Sequence, residues 1–367
     1  MKSTISTKNK IELIKNDHHF LQKNIKLVLA AKKFIFFHTY IFEFDKHTSP
    51  LIDALITAST NGVHVFFIID AIGSPELPLE TVIQLKEAGV KFTYFTPFKI
   101  SAKAGRRLHQ KILICDNKQM IIGGINYSKT FNSPDEGSPW LDYACLAEGE
   151  IVQKTLSKVH YIYLTNFPKD KVEIKSAVSV QYQVDHETSA QVLINDWIKY
   201  KQEIHHHFLK EIDQAQEEIF LMATYFIPGK KLLKRLQKAS KRGVKIHLIF
   251  GAHSDHPIVD LACDYFYQWY LDHNISIYEW DLSITHGKMA LIDNHWSTIG
   301  SYNHNHVSKY GNLEANVAIY NSQFAKVIRS EFEDIKEKST QITSSNINNS
   351  FHNSIIIRLV FLLTNII

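Results

Sequence analysis

The chain has 367 residues, of which 45% are hydrophobic and 21% charged, which is typical of a globular protein with one large or two medium domains. Its formal charge of +4 permits attraction to an anionic surface but does not by itself indicate a membrane or a nucleic acid as partner. Three cysteines, Cys115, Cys145 and Cys263, lie in apolar patterns, so we expect buried thiols in a reducing compartment rather than a disulfide framework. No signal peptide and no apolar run of about twenty residues is visible, so we predict no membrane-spanning helix.

Strands and helices alternate along the first half of the chain. Apolar residues at helical spacing predict an amphipathic helix over residues 11–31. The pattern that follows predicts these elements: strand 34–40, helix 49–60, strand 63–69, helix 79–88 and strand 90–95. Such a series builds a sheet covered by helices.

The second half repeats this order. The predicted elements are helix 204–216, strand 219–226, a strand within 242–249, helix 257–272 and strand 275–278. A repeat of this length indicates duplication of a whole domain rather than a solenoid. We therefore predict two pseudo-symmetric α/β/α sandwich halves that face each other across one active site. The predicted ranges are 1–165 for the first half, 166–200 for a connector, 201–338 for the second half, and 339–367 for a polar linker and a short apolar tail.

One motif, His-x-Lys-x-x-x-x-Asp, occurs once in each half. Its members are His109, Lys111 and Asp116 in the first copy, and His286, Lys288 and Asp293 in the second. Both copies run through an apolar stretch to a glycine-containing turn and then an asparagine, Asn126 or Asn303. A single His-x-Lys carries little information, but two copies with matching continuations are a specific signal.

The histidine and lysine of each copy suit the handling of an anion. Side chains alternate along a strand, so the two residues project to the same face at the start of a buried strand. An imidazole can act as nucleophile, acid or base, and an ammonium group suits a phosphate oxygen. Lysine is not a usual metal ligand, so the pair argues against a metal site. A solvated pair on an edge strand is the alternative.

Carboxylates accompany both copies of the motif. Asp142 and Glu314 each follow the asparagine of their half, and we predict that they orient the histidines, because a carboxylate holds an imidazole in one tautomer. A surface carboxylate is the alternative for both. Asp116 and Asp293 belong to the catalytic motif, but they lie at the far end of the strand from the histidine, where we expect a structural hydrogen bond or ion pair.

These residues resemble the phospholipase D superfamily, whose signature is the duplicated His-x-Lys-x-x-x-x-Asp. The likeness extends from about Lys32 to Phe332, and within the superfamily the chain most resembles the short bacterial cardiolipin synthases that lack N-terminal transmembrane helices. The supporting stretches are residues 123–128, 225–233, 254–257, 295–301 and 312–316. The chain departs from that pattern at Tyr302, where a serine is usual, and at residues 304–306, where a run resembling Leu-Asp-Pro is usual.

The resemblance implies a transferase that joins two phosphatidylglycerol molecules into cardiolipin and releases glycerol. The residues that would surround the phosphate oxygens are Lys111, Lys288, Asn126 and Asn303. By resemblance, His109 attacks phosphorus to form a phosphohistidine, and His286 protonates the leaving alcohol and activates the incoming one. This scheme needs no metal or cofactor. Entry of water instead would give a phospholipase D or a nuclease, and a binding protein without activity is a third possibility.

The expected partners are phospholipids and a membrane surface. Phosphatidylglycerol is the main substrate expected, with phosphatidylethanolamine as a second candidate. A nucleic-acid substrate would favour a stronger positive charge and aromatic stacking positions, so we do not expect one. We predict a peripheral enzyme on the cytoplasmic face of the bacterial inner membrane. The apolar tail at residues 355–363 is too short to span a bilayer, but it suits either the membrane interface or docking on the core.

Three further features each have two interpretations. The run His205-His206-His207 suggests metal ligands, but consecutive residues point around a helix in different directions, so we expect a partly exposed helix start. A basic cluster before His109 suits either attraction of anionic headgroups or a solvated loop, and its members are Lys103, Arg106 and Arg107. The segment 254–256 follows a predicted strand, where ligands often bind in α/β folds, although serine and aspartate there also cap helices.

Overall fold

The computed structural model describes residues 5–17, 19–95, 106–132, 139–168, 187–196 and 202–347. The chain divides into two compact units: unit 1 comprises Met1–Pro139 and Tyr143–Val192, and unit 2 comprises Trp140–Asp142 and Leu193–Ile367. The division after Val192 falls within the range 166–200 that the sequence predicts as a connector. The apolar tail at 355–363 and Lys103 of the basic cluster lie outside the described residues, as do parts of the predicted connector and linker.

Unit 1 is built on one sheet with helices packed against it. In chain order its elements are β1 (Asn9–Lys15), α1 (Phe20–Ala30), β2 (Phe34–Thr39), α2 (Ser49–Thr60), β3 (His64–Asp70), α3 (Leu79–Glu87), β4 (Lys91–Phe95), β5 (Arg107–Leu108), β6 (Lys111–Cys115), β7 (Gln119–Gly123), α4 (Lys129–Asn132), β8 (Tyr143–Gly149) and α5 (Glu150–Asn166). The strand order is β1-β8-β7-β6-β2-β3-β4. Strands β2, β3 and β4 are parallel, whereas β2, β6, β7 and β8 pair antiparallel in sequence order.

The start of the chain differs from its prediction. A single helix over residues 11–31 is wrong, because β1 occupies its first part and pairs antiparallel with β8 from Asn9 to Lys15. Long-range pairing with a distant strand therefore prevails over the helical spacing of the apolar residues. The helix begins only after Asp17, whose carboxylate accepts the His19 N–H at 2.8 Å. The other predicted elements of this half are confirmed to within one or two residues at each end.

Aromatic side chains show that helices cover both faces of the unit 1 sheet. Phe36 and Phe37 are neighbours in β2, so they point to opposite faces. The Phe36 ring lies 4.5 Å from Tyr163 of α5. The Phe37 ring lies 4.9 Å from Tyr127, which in turn contacts Phe20 of α1 at 5.4 Å. Unit 1 is therefore a three-layer α/β/α sandwich.

Unit 2 contains a second sheet with the same arrangement. The strand β9 (Ser189–Asn195) crosses the division between the units. The elements that follow are α6 (Glu203–Gln214), β10 (Glu218–Met222), α7 (Lys230–Lys241), β11 (Lys245–Gly251), α8 (Pro257–Asp264), α9 (Tyr267–Asp272), β12 (Ile275–Trp280), β13 (Met289–Ile292), β14 (Trp296–Gly300), α10 (His306–Tyr310), β15 (Asn312–Tyr320), α11 (Ser322–Glu337) and β16 (Thr340–Ile342). Within unit 2 the strands follow the order β16-β12-β11-β10-β13-β14-β15.

Two predicted elements of unit 2 need correction. The helix predicted over 257–272 is two helices, because Phe266 donates its N–H to the Cys263 carbonyl, three residues back, and packs into the core between them. The strand predicted over 219–226 ends at Met222, which leaves Thr224 and Tyr225 beyond the end of the sheet. The sandwich itself is present. Phe220 of β10 stacks on Phe332 of α11 at 5.1 Å, while its neighbours in β10 belong to the core cluster on the other face with α6 and α7.

The two units are duplicates of one design. In each, three parallel strands lie beside an antiparallel meander, and the strand that follows the His-x-Lys pair (β6 or β13) joins the two parts. The glycines at the end of the next strand are also equivalent. A Cβ on Gly123 would lie 2.4 Å from the Ala144 backbone, and a Cβ on Gly300 would lie 2.3 Å from the Ala315 carbonyl oxygen. Only glycine permits this close approach. The shared strand arrangement and these equivalent glycines confirm the duplicated α/β/α fold that the sequence predicts.

Candidate active site

The second motif begins in an extended segment that precedes β13 in unit 2. Residues 140–142, which follow the first motif in sequence, lie along this segment. Leu141 donates its N–H to the Ile284 carbonyl at 2.8 Å and accepts the His286 N–H at 2.8 Å. These backbone hydrogen bonds fix the position of His286 relative to Asp142.

Asp142 and His286 form a buried, hydrogen-bonded pair. The His286 Nδ1 lies 2.6 Å from the Asp142 Oδ2, and the two side chains are 7% and 0% exposed. Two acceptors would repel each other at this distance, so Nδ1 carries a proton and Nε2 is the nitrogen left for proton transfer. Asp142 therefore orients the histidine of the second motif, although it follows the first motif in sequence.

Lys288 places a buried ammonium group beside this histidine. Its Nζ lies 2.9 Å from the His286 Nδ1, contacts the His286 carbonyl oxygen, and donates to the Thr224 hydroxyl at 3.4 Å. Burial lowers the pKa of Lys288 to about 8, an effect moderated by the negative charges of Asp142, Glu314 and Asp255. A buried cation held in this way gains from a phosphate group as a further partner.

Glu314 is fully buried within unit 2. Its carboxylate accepts hydrogen bonds from the Ser301 hydroxyl at 2.5 Å, the Ser308 hydroxyl at 2.7 Å and the Asn312 side-chain amide at 3.1 Å. A buried carboxylate with three donors is held in one position. The surface interpretation of Glu314 and Asp142 is therefore wrong for both, while a role of Glu314 in orienting a histidine stays a prediction.

The two asparagines differ in how their side chains are used. The Asn126 Oδ1 accepts the Ile41 N–H at 3.3 Å. The Asn303 side chain is 5% exposed, and its Oδ1 has no hydrogen-bond partner among the residues that the structure describes. An unpaired buried amide oxygen is costly and is typical of a site that a ligand completes.

The first motif repeats the geometry of the second within unit 1. His109 and Lys111 are 7% and 3% exposed, and the Lys111 Nζ donates to the His109 carbonyl at 2.9 Å, as Lys288 does to the carbonyl of His286. The Tyr40 ring lies 4.8 Å from the His109 ring and 5.2 Å from the Lys111 Nζ. The aromatic face therefore supports the ammonium group by a cation–π contact.

Tyr40 and its equivalent in unit 2, Tyr225, are site residues that the sequence predictions missed. The Tyr225 ring lies 6.5 Å from His286, and its hydroxyl donates to Asp255. Each tyrosine follows a threonine just beyond the end of a matching strand, β2 or β10. The repeated Thr-Tyr dipeptide was the available signal. Both dipeptides lie in segments that the sequence predicts as strands, so their position beyond the end of the sheet was not recognised.

Asp116 and Asp293 make structural hydrogen bonds to the chain that enters the neighbouring strand. The Asp116 carboxylate accepts backbone N–H groups of three consecutive residues at 2.6, 2.7 and 3.0 Å, namely Lys32, Lys33 and Phe34. Asp293 does the same at 3.1, 2.9 and 3.0 Å, with Gln216, Glu217 and Glu218. Both aspartates are left-handed, with φ of 55° and 51°, a conformation that aspartate tolerates better than most residues.

Other sequence features have structural roles in unit 2. The helix start at 205–207 is partly exposed, as the sequence predicts: His206 is exposed and His207 half-buried, while His205 is buried and its burial lowers its pKa to about 3. His207 contacts the Tyr320 hydroxyl at 2.5 Å and Glu211 at 3.3 Å. Tyr302, one of the departures from the family pattern, lies in the hydrophobic core of the unit. In the basic cluster, Arg106 is buried, so the interpretation as a solvated loop fails for that residue.

Two α/β/α units, each with a buried His–Lys pair before an equivalent strand, define the phospholipase D class of protein. The structure resembles the phosphatidylserine synthase of Haemophilus influenzae Rd KW20 with a TM-score of 0.73 and 14% identity, over 97% of this chain and 95% of that one. It also resembles the polyphosphate kinase of Porphyromonas gingivalis with a TM-score of 0.62 and 14% identity, over 96% of this chain and 52% of that one. At these identities the likeness shows the fold alone.

Sequence similarity gives the family. The family described as "Cardiolipin synthase, PLD-like domain" matches residues 25–136 and 208–336. The chain is 34% identical to a protein of Shigella flexneri named Cardiolipin synthase B, over 91% of this chain and 82% of that protein. Its identity to the protein of the same name from Escherichia coli K12 is 33% over the same shares. The chain therefore belongs to the cardiolipin synthase family, whose enzymes are phosphatidyltransferases of the phospholipase D superfamily.

Proposed function

We propose that this enzyme transfers a phosphatidyl group from one phosphatidylglycerol molecule to a hydroxyl group of a second, forming cardiolipin and releasing glycerol. The observation that carries this proposal is the buried Asp142–His286–Lys288 arrangement. It combines a proton-transfer group in a fixed tautomer with a cation for the phosphate. Family membership supports the lipid substrate.

The chemistry requires both kinds of group. A phosphodiester repels nucleophiles through its negative charge, and an alkoxide is a poor leaving group. Lys111 and Lys288 would offset charge on the non-bridging oxygens, with Asn126 and Asn303 as further contacts. Attack by one histidine breaks the bond from phosphorus to the glycerol oxygen and forms a bond from phosphorus to nitrogen, while the other histidine gives its proton to the leaving alkoxide.

We assign the nucleophile to His109 and proton transfer to His286. The Asp142 contact supports the second assignment, because a carboxylate on Nδ1 stabilises the imidazolium that forms when Nε2 takes a proton. In the second half-reaction His286 removes the proton from the incoming hydroxyl group, which attacks phosphorus and releases His109. Glu314 is proposed as the orienting carboxylate of the other histidine.

We also propose that the enzyme works at the surface of an anionic membrane, on the cytoplasmic face in the bacterium. The helix α7 supports this. Its exposed lysines are Lys230, Lys231, Lys234, Lys238 and Lys241. At about 100° per residue these side chains fall within roughly a quarter of the helix circumference, opposite the buried Leu232, Leu236 and Ala239. The helix carries no acidic residue, so its lysines repel one another at i, i+4 spacing.

An anionic lipid surface removes that repulsion. Each lysine near such a surface contributes about 1 kcal/mol of attraction. The helix begins five residues after Tyr225, which lies beside His286. Binding through α7 would therefore hold the second motif near the bilayer that contains the substrate. Among the described residues, no helix has the length and apolar character needed to cross a membrane.

The activity test is incubation of the purified chain with phosphatidylglycerol vesicles, with and without a chelator, and product analysis by mass spectrometry. We expect cardiolipin and an equal amount of glycerol, unaffected by the chelator and absent in His109→Ala and His286→Ala. Phosphatidic acid as the only lipid product would reassign the enzyme as a hydrolase. Activity in both histidine variants would contradict the mechanism.

Membrane binding is tested by co-sedimentation with phosphatidylglycerol vesicles. The variant Lys230→Glu, Lys234→Glu, Lys238→Glu should lose most binding, and the loss should shrink with neutral vesicles and at high salt. The matched control changes exposed lysines on other elements by the same charge: Lys10→Glu, Lys118→Glu, Lys326→Glu. If both triple variants lost vesicle binding equally, the loss would follow from the change in net charge, and this would contradict a role for α7.

A further inference from the structure

A cleft lined by both polar and apolar residues opens beside the second motif within unit 2. Phe250 and Tyr267 are among its apolar lining residues, and Thr224, Ser254 and Thr285 line it as well. Two carboxylates, Asp260 and Asp264, also line it. Thr285 directly precedes His286, and Thr224 accepts a hydrogen bond from Lys288, so the cleft adjoins the proposed catalytic groups.

Thr285 gives the clearest sign that the cleft takes a ligand. Its side chain is 1% exposed, and its hydroxyl has no hydrogen-bond partner among the residues that the structure describes. A buried hydroxyl without a partner costs free energy unless something in the cleft completes it. The space next to it depends on Gly251, because a Cβ there would lie 3.0 Å from the His253 carbonyl oxygen and 3.3 Å from the Thr285 Cβ.

The equivalent strand end in unit 1 carries different residues. Asp70 ends β3 as Gly251 ends β11, and its carboxylate accepts the N–H of Leu108 at 2.7 Å. Leu108 precedes His109 as Thr285 precedes His286, and it is fully buried. An aspartate and a leucine thus occupy unit 1 where unit 2 has a glycine and a threonine.

The hydrogen-bonding pattern of the cleft selects the chemistry of its ligand. Thr224 accepts from Lys288, and the Ser254 hydroxyl accepts the His256 N–H at 3.0 Å, so each keeps its own proton to donate. Asp260 uses one oxygen for the Ser254 N–H at 3.0 Å and retains acceptor capacity. A ligand with hydroxyl groups, which both accept and donate, can use all of these groups at once, whereas an ammonium group leaves the hydroxyl protons of Thr224 and Ser254 without an acceptor. The Asp260 carboxylate disfavours a phosphate in the same place.

We propose that this cleft binds the glycerol headgroup of phosphatidylglycerol, with Thr285 and Asp260 as residues that recognise its hydroxyl groups. This inference rests on the proposed function. It extends that function by assigning the binding of the leaving or attacking glycerol to the second half of the chain. Glycerol leaves through the cleft in the forward direction and occupies it as acceptor in reverse. In that step a glycerol oxygen attacks the phosphatidyl-histidine, the bond from phosphorus to nitrogen breaks, and His286 takes the hydroxyl proton.

The test measures the reverse reaction, in which cardiolipin vesicles and free glycerol give phosphatidylglycerol. Thr285→Val removes the hydroxyl at nearly constant volume, and Asp260→Asn removes the charge but keeps an acceptor for the Ser254 N–H. We expect each to raise the KM for glycerol about tenfold, with a smaller change in kcat. Thr155→Val is the matched control, because it removes a buried threonine hydroxyl in α5 of unit 1.

Ethanolamine in place of glycerol tests the selectivity. The wild type should have a kcat/KM for glycerol at least about tenfold above that for ethanolamine, and Thr285→Val should reduce this ratio. An unchanged KM for glycerol in both variants, with an active wild type, would overturn the inference alone, as would equal use of ethanolamine. A wild type that does not interconvert cardiolipin and phosphatidylglycerol would overturn the proposed function and the inference with it.

Discussion

The two units share a strand order and a buried His–Lys pair but differ immediately around that pair. In unit 1 the Asp70 carboxylate accepts the N–H groups of Leu108, Ile72 and Gly73 at 2.7, 2.9 and 3.0 Å, which closes the end of β3. In unit 2 the equivalent strand ends in Gly251, and a cleft is present there. The two units thus share the buried His–Lys pair, while the surroundings of each copy differ.

The tyrosines show the same divergence. Tyr40 packs its ring against His109 and Lys111, whereas Tyr225 directs its hydroxyl to Asp255 and its ring lies further from His286. A histidine packed against an aromatic ring and a protein-filled strand end suits a nucleophile that needs one fixed position. A histidine beside an open polar cleft suits proton exchange with an alcohol that enters and leaves. Substitutions around His109 and around His286 should therefore have different effects.

The largest expected effect is at the two histidines, and their variants should differ in whether a covalent phosphohistidine intermediate accumulates. His109→Ala and His286→Ala should each reduce cardiolipin formation by at least about 10³-fold. With phosphatidylglycerol labelled at phosphorus, a long incubation and an acid-free quench should trap labelled protein in His286→Ala. His109 can still attack slowly without the acid, while the second half-reaction lacks its base. No label should appear in His109→Ala. The reverse pattern would exchange the roles of the two halves.

The next effect concerns the orienting carboxylate. Asp142→Asn keeps the size of the side chain but removes the charge that stabilises protonated His286, so kcat should fall by roughly 10²–10⁴-fold. The KM for phosphatidylglycerol should change little, because Asp142 contacts the histidine rather than the lipid. Asp196→Asn, at another buried aspartate of unit 2, is the control for general destabilisation. If kcat fell no more in Asp142→Asn than in this control, the result would contradict an orienting role for Asp142.

A smaller effect follows from the pKa of Lys288. Since burial lowers it to about 8, the free enzyme loses the ammonium charge as the pH rises above 8, and the KM for phosphatidylglycerol should increase by about tenfold per pH unit there. Lys288→Arg should flatten the profile, because arginine stays charged. Lys111→Arg, in the other half, should retain the wild-type profile. A profile that is flat in the wild type would contradict the assignment.

The lowered pKa of Lys288 also affects the free energy of unfolding, which should increase with pH where substrate binding decreases. The pKa of Lys288 is lower in the folded protein than its ordinary value of 10.5, so between about pH 8 and 10.5 the unfolded chain binds more protons. Through this group the free energy of unfolding therefore rises with pH in that window. Loss of substrate binding above pH 8 cannot then be attributed to unfolding caused by deprotonation of Lys288.

The sequence could predict the parts of the site that follow from local periodicity. Strand alternation places His286 and Lys288 on one face, and the structure has the Lys288 Nζ 2.9 Å from the imidazole. The position of Asp293 at the far end of the strand similarly indicates its structural hydrogen bonds. Duplication made these predictions specific, because each feature could be checked against a second copy.

Other parts depend on contacts between distant segments, which local patterns do not encode. The partner of Asp142 is fixed by backbone pairing of residues 141 and 285, far apart in sequence. The strand β1 forms because it pairs with β8, which prevails over a helical pattern. The cleft exists because Gly251 has no side chain next to Thr285, and a missing side chain leaves no positive signal in a single sequence.

The smallest expected effect on activity is at the motif aspartates, and it should be the same in both halves. Asp116→Asn and Asp293→Asn each replace a carboxylate that accepts three backbone N–H groups with an amide that presents a donor to some of them. Each should lower the free energy of unfolding by about 1–3 kcal/mol, measured by denaturant titration, with kcat within about threefold of the wild type. Asparagine also tolerates the left-handed backbone, so strain does not add to the loss. A large fall in kcat at unchanged stability would instead place these aspartates in the chemistry, and a fall in only one variant would show that the halves differ there as well.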